Sequence, residues 1–150
     1  NPPLAFGSRP PCQGVKPMSA PMQFLQPPGW ARAKGFSNGI AASGRLVFIA
    51  GQIGWTGEGK WEAKDFAGQF RQALKNILAV LAEAGGKPQH IVRLTWYVLD
   101  KREYLNAIKS VGEAYRELMG RHYPTMAVVQ VSGLVEDEAR LEIEATAVVP

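Results

Sequence analysis

Arg140-Leu141-Glu142-Ile143-Glu144-Ala145-Thr146-Ala147-Val148 is a strand written in period two. Leu141, Ile143, Ala145 and Ala147 fall on one face, and Glu142, Glu144 and Thr146 on the other. A strand apolar on one side needs a covering layer, so the chain should supply helices with apolar stripes. It carries two. Asp65 can cap a helix whose Phe66, Phe70, Leu74, Ile77 and Leu81 recur at helical spacing and which Gly85-Gly86 stops. Asp100 with Glu103 forms an acid-capped capping box, opening a helix striped by Tyr104, Ile108, Val111, Tyr115 and Leu118 and ended by Gly120.

The remaining regular stretches read as strands. Residues 36–42 and 45–53 are apolar runs joined by Ser43-Gly44, a hairpin signal. Ile91 to Leu99 is β-branched and aromatic, and Met126 to Val131 precedes the terminal strand. The order ββαβαββ predicts an α+β fold with two helices covering one face of a sheet. The 91–99 strand is apolar on both faces (Val92, Leu94, Trp96 and Val98 against Ile91, Tyr97 and Leu99), so the uncovered face is expected to meet another subunit.

Composition narrows the classes of function. The 150 residues suffice for one domain with a real core, and no run of about 18 apolar residues exists to span a membrane. The formal charge is +4, but Arg9 and Lys16 lie in a stretch without acids; beyond residue 21 there are 15 bases against 13 acids. No basic stripe is present, which counts against a nucleic-acid surface. One cysteine, Cys12, precludes an intramolecular disulfide and makes a cytoplasmic setting the easier reading. With that cysteine and only His90 and His122, no metal-ligand spacing exists. Residues 1–21 hold six of the eleven prolines and no apolar period, so they are expected to form an extended arm outside the 22–150 domain. The start Asn1-Pro2-Pro3 points to foreign sequence or an overlong start, with Met18 and Met22 as candidate translation starts.

Several stretches together resemble the Rid (YjgF, endoribonuclease L-PSP) family of small trimeric proteins, over about residues 34–149. They are Gly44-Arg45-Leu46-Val47-Phe48-Ile49-Ala50-Gly51-Gln52, Asn76-Ile77-Leu78-Ala79-Val80-Leu81, Ile91 to Asp100, Tyr123-Pro124-Thr125-Met126-Ala127-Val128-Val129-Gln130-Val131 and Leu141 to Val148. The resemblance implies a chorismate-mutase-like fold and a homotrimer with three clefts between subunits. Active members hydrolyse reactive imines without metal or organic cofactor. An arginine grips the substrate carboxylate, a backbone N–H assists, a glutamate orients water and an aromatic closes the cleft. By resemblance the aromatic is Phe36, the backbone donor Gly51 and the water-orienting acid Glu142. Met126 stands where those members have arginine, Val128 where they have cysteine and Gly112 where they have asparagine. A thioether carries no charge and cannot replace a bidentate guanidinium.

The other candidates each have a plain structural reading beside the functional one. Trp96 and Tyr97 could line a pocket for a flat ligand or simply pack. Gln130 could bind a substrate amide or carboxyl, or sit on an exposed strand. Arg93 could restore the lost cation, or be solvated. His122, in the loop before the altered strand, could act as acid or base. Glu144 reads as a solvated neighbour of Glu142. The expected function is hydrolysis of a small reactive imine or enamine, with Glu142 catalytic and Phe36, Gly51, Trp96, Met126, Val128 and Gln130 binding substrate. An aromatic-derived or semialdehyde-type imine would suit the apolar surroundings. The alternatives are a non-catalytic trimer that binds a metabolite or partner, and, on weaker grounds, an endoribonuclease.

Overall fold

The computed structural model describes residues 22–150; the proline-rich arm read for residues 1–21 lies outside them. Ten elements follow in order: β1 (Met22–Leu25), β2 (Gly39–Ala42), β3 (Arg45–Gln52), α1 (Phe66–Glu83), a 3-10 turn (Pro88–His90), β4 (Ile91–Val98), α2 (Lys101–Asn106), α3 (Ile108–Met119), β5 (Thr125–Gln130) and β6 (Leu141–Val149). β3, β6, β4 and β5 form one sheet in that order, with β4 and β5 parallel and the other pairs antiparallel. The parallel pair requires a crossover, and α2 and α3 supply it.

α1 forms where the apolar spacing places it. The Asp65 carboxylate accepts the Gly68 N–H at 3.3 Å. At the other end the Gly85 N–H bonds to the Ala82 carbonyl and the Gly86 N–H to that of Leu81, a paired closure that Gly85 permits at φ 72°. Phe66, Phe70, Ala73, Leu74, Ile77 and Leu81 are buried beneath it with Leu94, Trp96, Val98, Leu141, Ile143 and Ala145 of the sheet. Phe70 stacks on Trp96 with ring centroids 4.8 Å apart.

Three local expectations are corrected. β2 does not form a hairpin with β3; it pairs with β1 in a separate two-stranded sheet, while β3 pairs with β6. Gly44 lies against the end of β6, where an added Cβ would be 2.5 Å from the Val149 carbonyl oxygen, so the chain turns a corner there. The second helix is broken into α2 and α3 at Ala107 (φ −97°, ψ 6°), whose N–H is shared between the Glu103 and Tyr104 carbonyls. Asp100 does cap, accepting the Arg102 N–H at 2.8 Å, but the Glu103 carboxylate pairs with Arg140 at 3.4 Å.

A register shift between Ile91 and Arg93 explains the two-sided apolarity of β4. It turns Ile91 to the buried side with Leu94, Trp96 and Val98, and leaves Arg93, Thr95 and Tyr97 on the opposite face. That open face also carries Leu46 and Phe48, 60% and 75% exposed. No helix among the described residues is long and apolar enough to cross a membrane.

Candidate functional site

Parallel pairing of β4 with β5 sets Leu94 beside Met126, Trp96 beside Val128 and Val98 beside Gln130. Met126 and Val128 therefore project to the helix side of the sheet, as Trp96 does. There the α2–α3 pair, the β4–β5 edge and the loop at residues 34–36 enclose a cavity of about 580 Å³. It is lined by Lys34, Gly35, Phe36, Trp96, Tyr104, Ile108, Val111, Gly112, Tyr115, Arg116, Tyr123, Met126 and Val128. The Ser37 N–H bonds to the Pro124 carbonyl at 3.1 Å and its hydroxyl donates to the Tyr123 carbonyl, pinning the Phe36 loop over the start of β5.

The floor of the cavity is aromatic. Trp96 lies between Phe70 and the edge-on ring of Tyr104, and its buried indole N–H has no acceptor among the described residues. Tyr115 stacks nearly parallel on Tyr123 at 5.5 Å and donates its hydroxyl to the His122 carbonyl at 2.5 Å. Burial, reinforced by Tyr123, pushes the Tyr115 phenol above its ordinary range, so it stays protonated.

Gly51 and Glu142 lie elsewhere. Gly51 falls in the irregular stretch of β3 between Ile49 and Gln52, and Glu142 faces the open side opposite Tyr97 of β4. The two are in contact: a Cβ at Gly51 would overlap Glu142 Oε1. The Glu142 carboxylate is half-buried and has neither a hydrogen bond nor an ion pair among the described residues. Its neighbour Glu144 accepts the Tyr97 hydroxyl at 2.7 Å, a bond that raises the Tyr97 pKa. One chain thus divides the sequence candidates. Phe36, Trp96, Met126 and Val128 share the helix-side cavity, and Gly51 and Glu142 share the opposite face.

The remaining candidates are engaged structurally or point away. Gln130 uses its Oε1 to accept the Lys101 N–H at 3.0 Å and so helps start α2. Arg93 borders an open-face cleft with Phe48, Thr95 and Thr146. His122 holds its Nε2 2.6 Å from the Ile91 carbonyl and packs edge-on to Phe24; Nε2 must carry the proton to donate there.

Burial holds the His122 pKa below its ordinary value, outweighing the Ile91 bond that raises it, with His90 adding to the depression. Below about pH 6.5 the unfolded chain binds a proton that the native ring resists, so stability is full above that pH and declines as pH falls. His122→Phe should keep the packing but orphan the Ile91 carbonyl. We expect it to cost about 1–2 kcal/mol near neutral pH and to flatten the acid-side decline, read by urea unfolding across that range. An unchanged pH dependence would remove His122 as its source.

The apolar spacing gives Tyr104, Ile108, Val111 and Tyr115 one helix stripe, which needs a covered face but does not tell core from cavity wall. Only Val111 and Tyr115 are buried, and all four form cavity wall. Arg116 went unnoticed, although its spacing of four from Gly112 puts both on one helix face.

Known proteins share both sequence and fold with this chain. The family model described as endoribonuclease L-PSP matches residues 29–149. The putative reactive intermediate deaminase TdcF of Escherichia coli K12 is 36% identical over 111 residues, covering 70% of this chain and 80% of its own. The human 2-iminobutanoate/2-iminopropanoate deaminase is 32% identical over 105 residues, covering 69% and 73%. Among solved structures, the Rid-family protein YyfB from Yersinia pestis superposes with a TM-score of 0.77 at 28% identity, covering 87% of this chain and all of that one.

Proposed function

The chain belongs to the endoribonuclease L-PSP (Rid) family, and from that membership we propose that it hydrolyses a small reactive imine or enamine as a homotrimer whose clefts lie between subunits. The observation that carries the reading is the division of the candidate residues. Gly51 and Glu142 lie back to back with the aromatic cavity, so only a second copy could set them against it. The exposed Leu46 and Phe48 give the open face a reason to be covered.

An imine carbon is already electrophilic, so the chemistry needs a placed water rather than a metal. In this mechanism the Glu142 carboxylate accepts a proton from water as its oxygen bonds to the C=N carbon. Glu142 passes that proton to the nitrogen, and the resulting carbinolamine breaks its C–N bond as its hydroxyl proton goes to the departing nitrogen, releasing ammonia and leaving a carbonyl. The Gly51 N–H and the aromatic cavity hold the ligand, with Met126 and Val128 offering apolar contact where relatives of the resemblance carry polar groups. The setting is a cytoplasmic metabolite pool.

Imines generated in situ by an amino-acid oxidase, aliphatic and aromatic in turn, test the reading. We expect wild type to accelerate carbonyl formation and sedimentation to give a trimer. Saturable ligand binding without turnover would favour a binding trimer instead. A stable monomer would remove the shared cleft.

A further inference from the structure

We propose that Arg116 is the anion-binding residue of the helix-side cavity, and that it selects a carboxylate joined to a bulky apolar or aromatic group. This deepens the reading above, and rests on it in taking that cavity as the ligand cleft.

The cavity lining contains two cations, Lys34 and Arg116, and no acid. The Arg116 guanidinium has no hydrogen bond or ion pair among the described residues, whereas its helix neighbour Glu117 is already held by Arg71 at 2.5 Å. The side chain lies back over Gly112, where an added Cβ would be 3.4 Å from Nη1. Arg116 is exposed at the cavity wall, so an anion can reach it from solvent. A planar fork of N–H donors is the group best matched to a carboxylate. Because Met126 provides no charge, Arg116 supplies it from the opposite wall, on α3 rather than β5.

The rest of the lining fixes the other half of the ligand. Phe36, Tyr104 and Tyr123 offer flat aromatic surface and Met126 a polarisable thioether. A two- or three-carbon acid reaching Arg116 would leave most of that surface wet.

Calorimetric titration of the full chain with phenylacetate, phenylacetamide and acetate tests both halves, since none is an imine and binding is read without turnover. We expect phenylacetate to bind about tenfold or more tighter than its neutral amide and than acetate. In Arg116→Met the acid should fall to the amide's affinity while the amide is unchanged, and Arg116→Lys should recover part of the preference. A merely structural role would weaken acid and amide alike. The proposal is overturned if wild type shows no saturable phenylacetate binding, if acid and amide bind equally, or if the preference survives Arg116→Met or vanishes in Lys34→Met instead. Acetate binding as tightly as phenylacetate would overturn the ligand class. Arg116-dependent binding without imine turnover would count against deaminase action alone. Imine turnover with an unchanged KM in Arg116→Met would count against this proposal alone.

Discussion

Gln69→Leu should destabilise the protein by about 3 kcal/mol, although leucine fills a similar volume and the site is buried. Gln69 is 1% exposed and sits in α1, yet its amide serves backbone far away in sequence. Nε2 donates to the Ala63 carbonyl at 3.3 Å and the Glu138 carbonyl at 3.0 Å, and Oε1 accepts the Arg140 N–H at 2.7 Å. Leucine would leave three backbone groups without partners, each worth about 1 kcal/mol net and more where water cannot reach it. The packing is tight as well, since a Cβ on Gly54 would lie 2.5 Å from that of Gln69. Urea unfolding at fixed protein concentration should show a lowered midpoint with an unchanged slope. Gln69→Glu should be at least as damaging, because a carboxylate cannot donate to the two carbonyls. An unchanged midpoint in Gln69→Leu would mean that water already serves those groups.

The reach of that one glutamine illustrates which parts of the molecule were legible in the sequence. α1 was legible because its stripe, its Asp65 cap and its Gly85-Gly86 stop are all local signals that agree. β6 was legible because alternation survives without bulges on the buried face. The pairing of β2 with β1 was not, because Met22–Leu25 is too short to carry a period and its partner is distant. The break at Ala107 had no glycine or proline to announce it. At the site, the aromatic cavity emerged only once parallel pairing had put Trp96 and Val128 side by side. Arg116 stayed hidden because a cation on an amphipathic helix ordinarily marks the solvent side. Here the helix pair covers the sheet incompletely, and the cavity opens beside that polar flank. The roles of Glu142, Gly51 and Met126 came from family resemblance, since strand alternation alone cannot separate Glu142 from Glu144.

Glu142→Gln is expected to lower kcat for imine hydrolysis about 100-fold or more, with little change in KM or stability. Glutamine keeps the shape and one acceptor oxygen but cannot take the proton from water. The carboxylate has no partner among the described residues, so its loss should cost under about 0.5 kcal/mol of folding energy. Glu144→Gln is the control, because that carboxylate already accepts the Tyr97 hydroxyl; its effect on kcat should stay within about threefold, the change expected of a surface group outside the chemistry. Gly51→Ala approaches the same carboxylate from the other side. A methyl at Gly51 overlaps Glu142 Oε1, and a flexible carboxylate yields more readily than backbone, so Glu142 should swing aside. That displacement should lower kcat by about tenfold or more without touching the acid itself. If Gly51→Ala and Glu142→Gln both impair turnover and the double variant is no worse than Glu142→Gln, the glycine acts through the carboxylate's position. If Glu142→Gln turns over as wild type does, Glu142 is an outward acid of a half-exposed strand, and the water must be placed by another group.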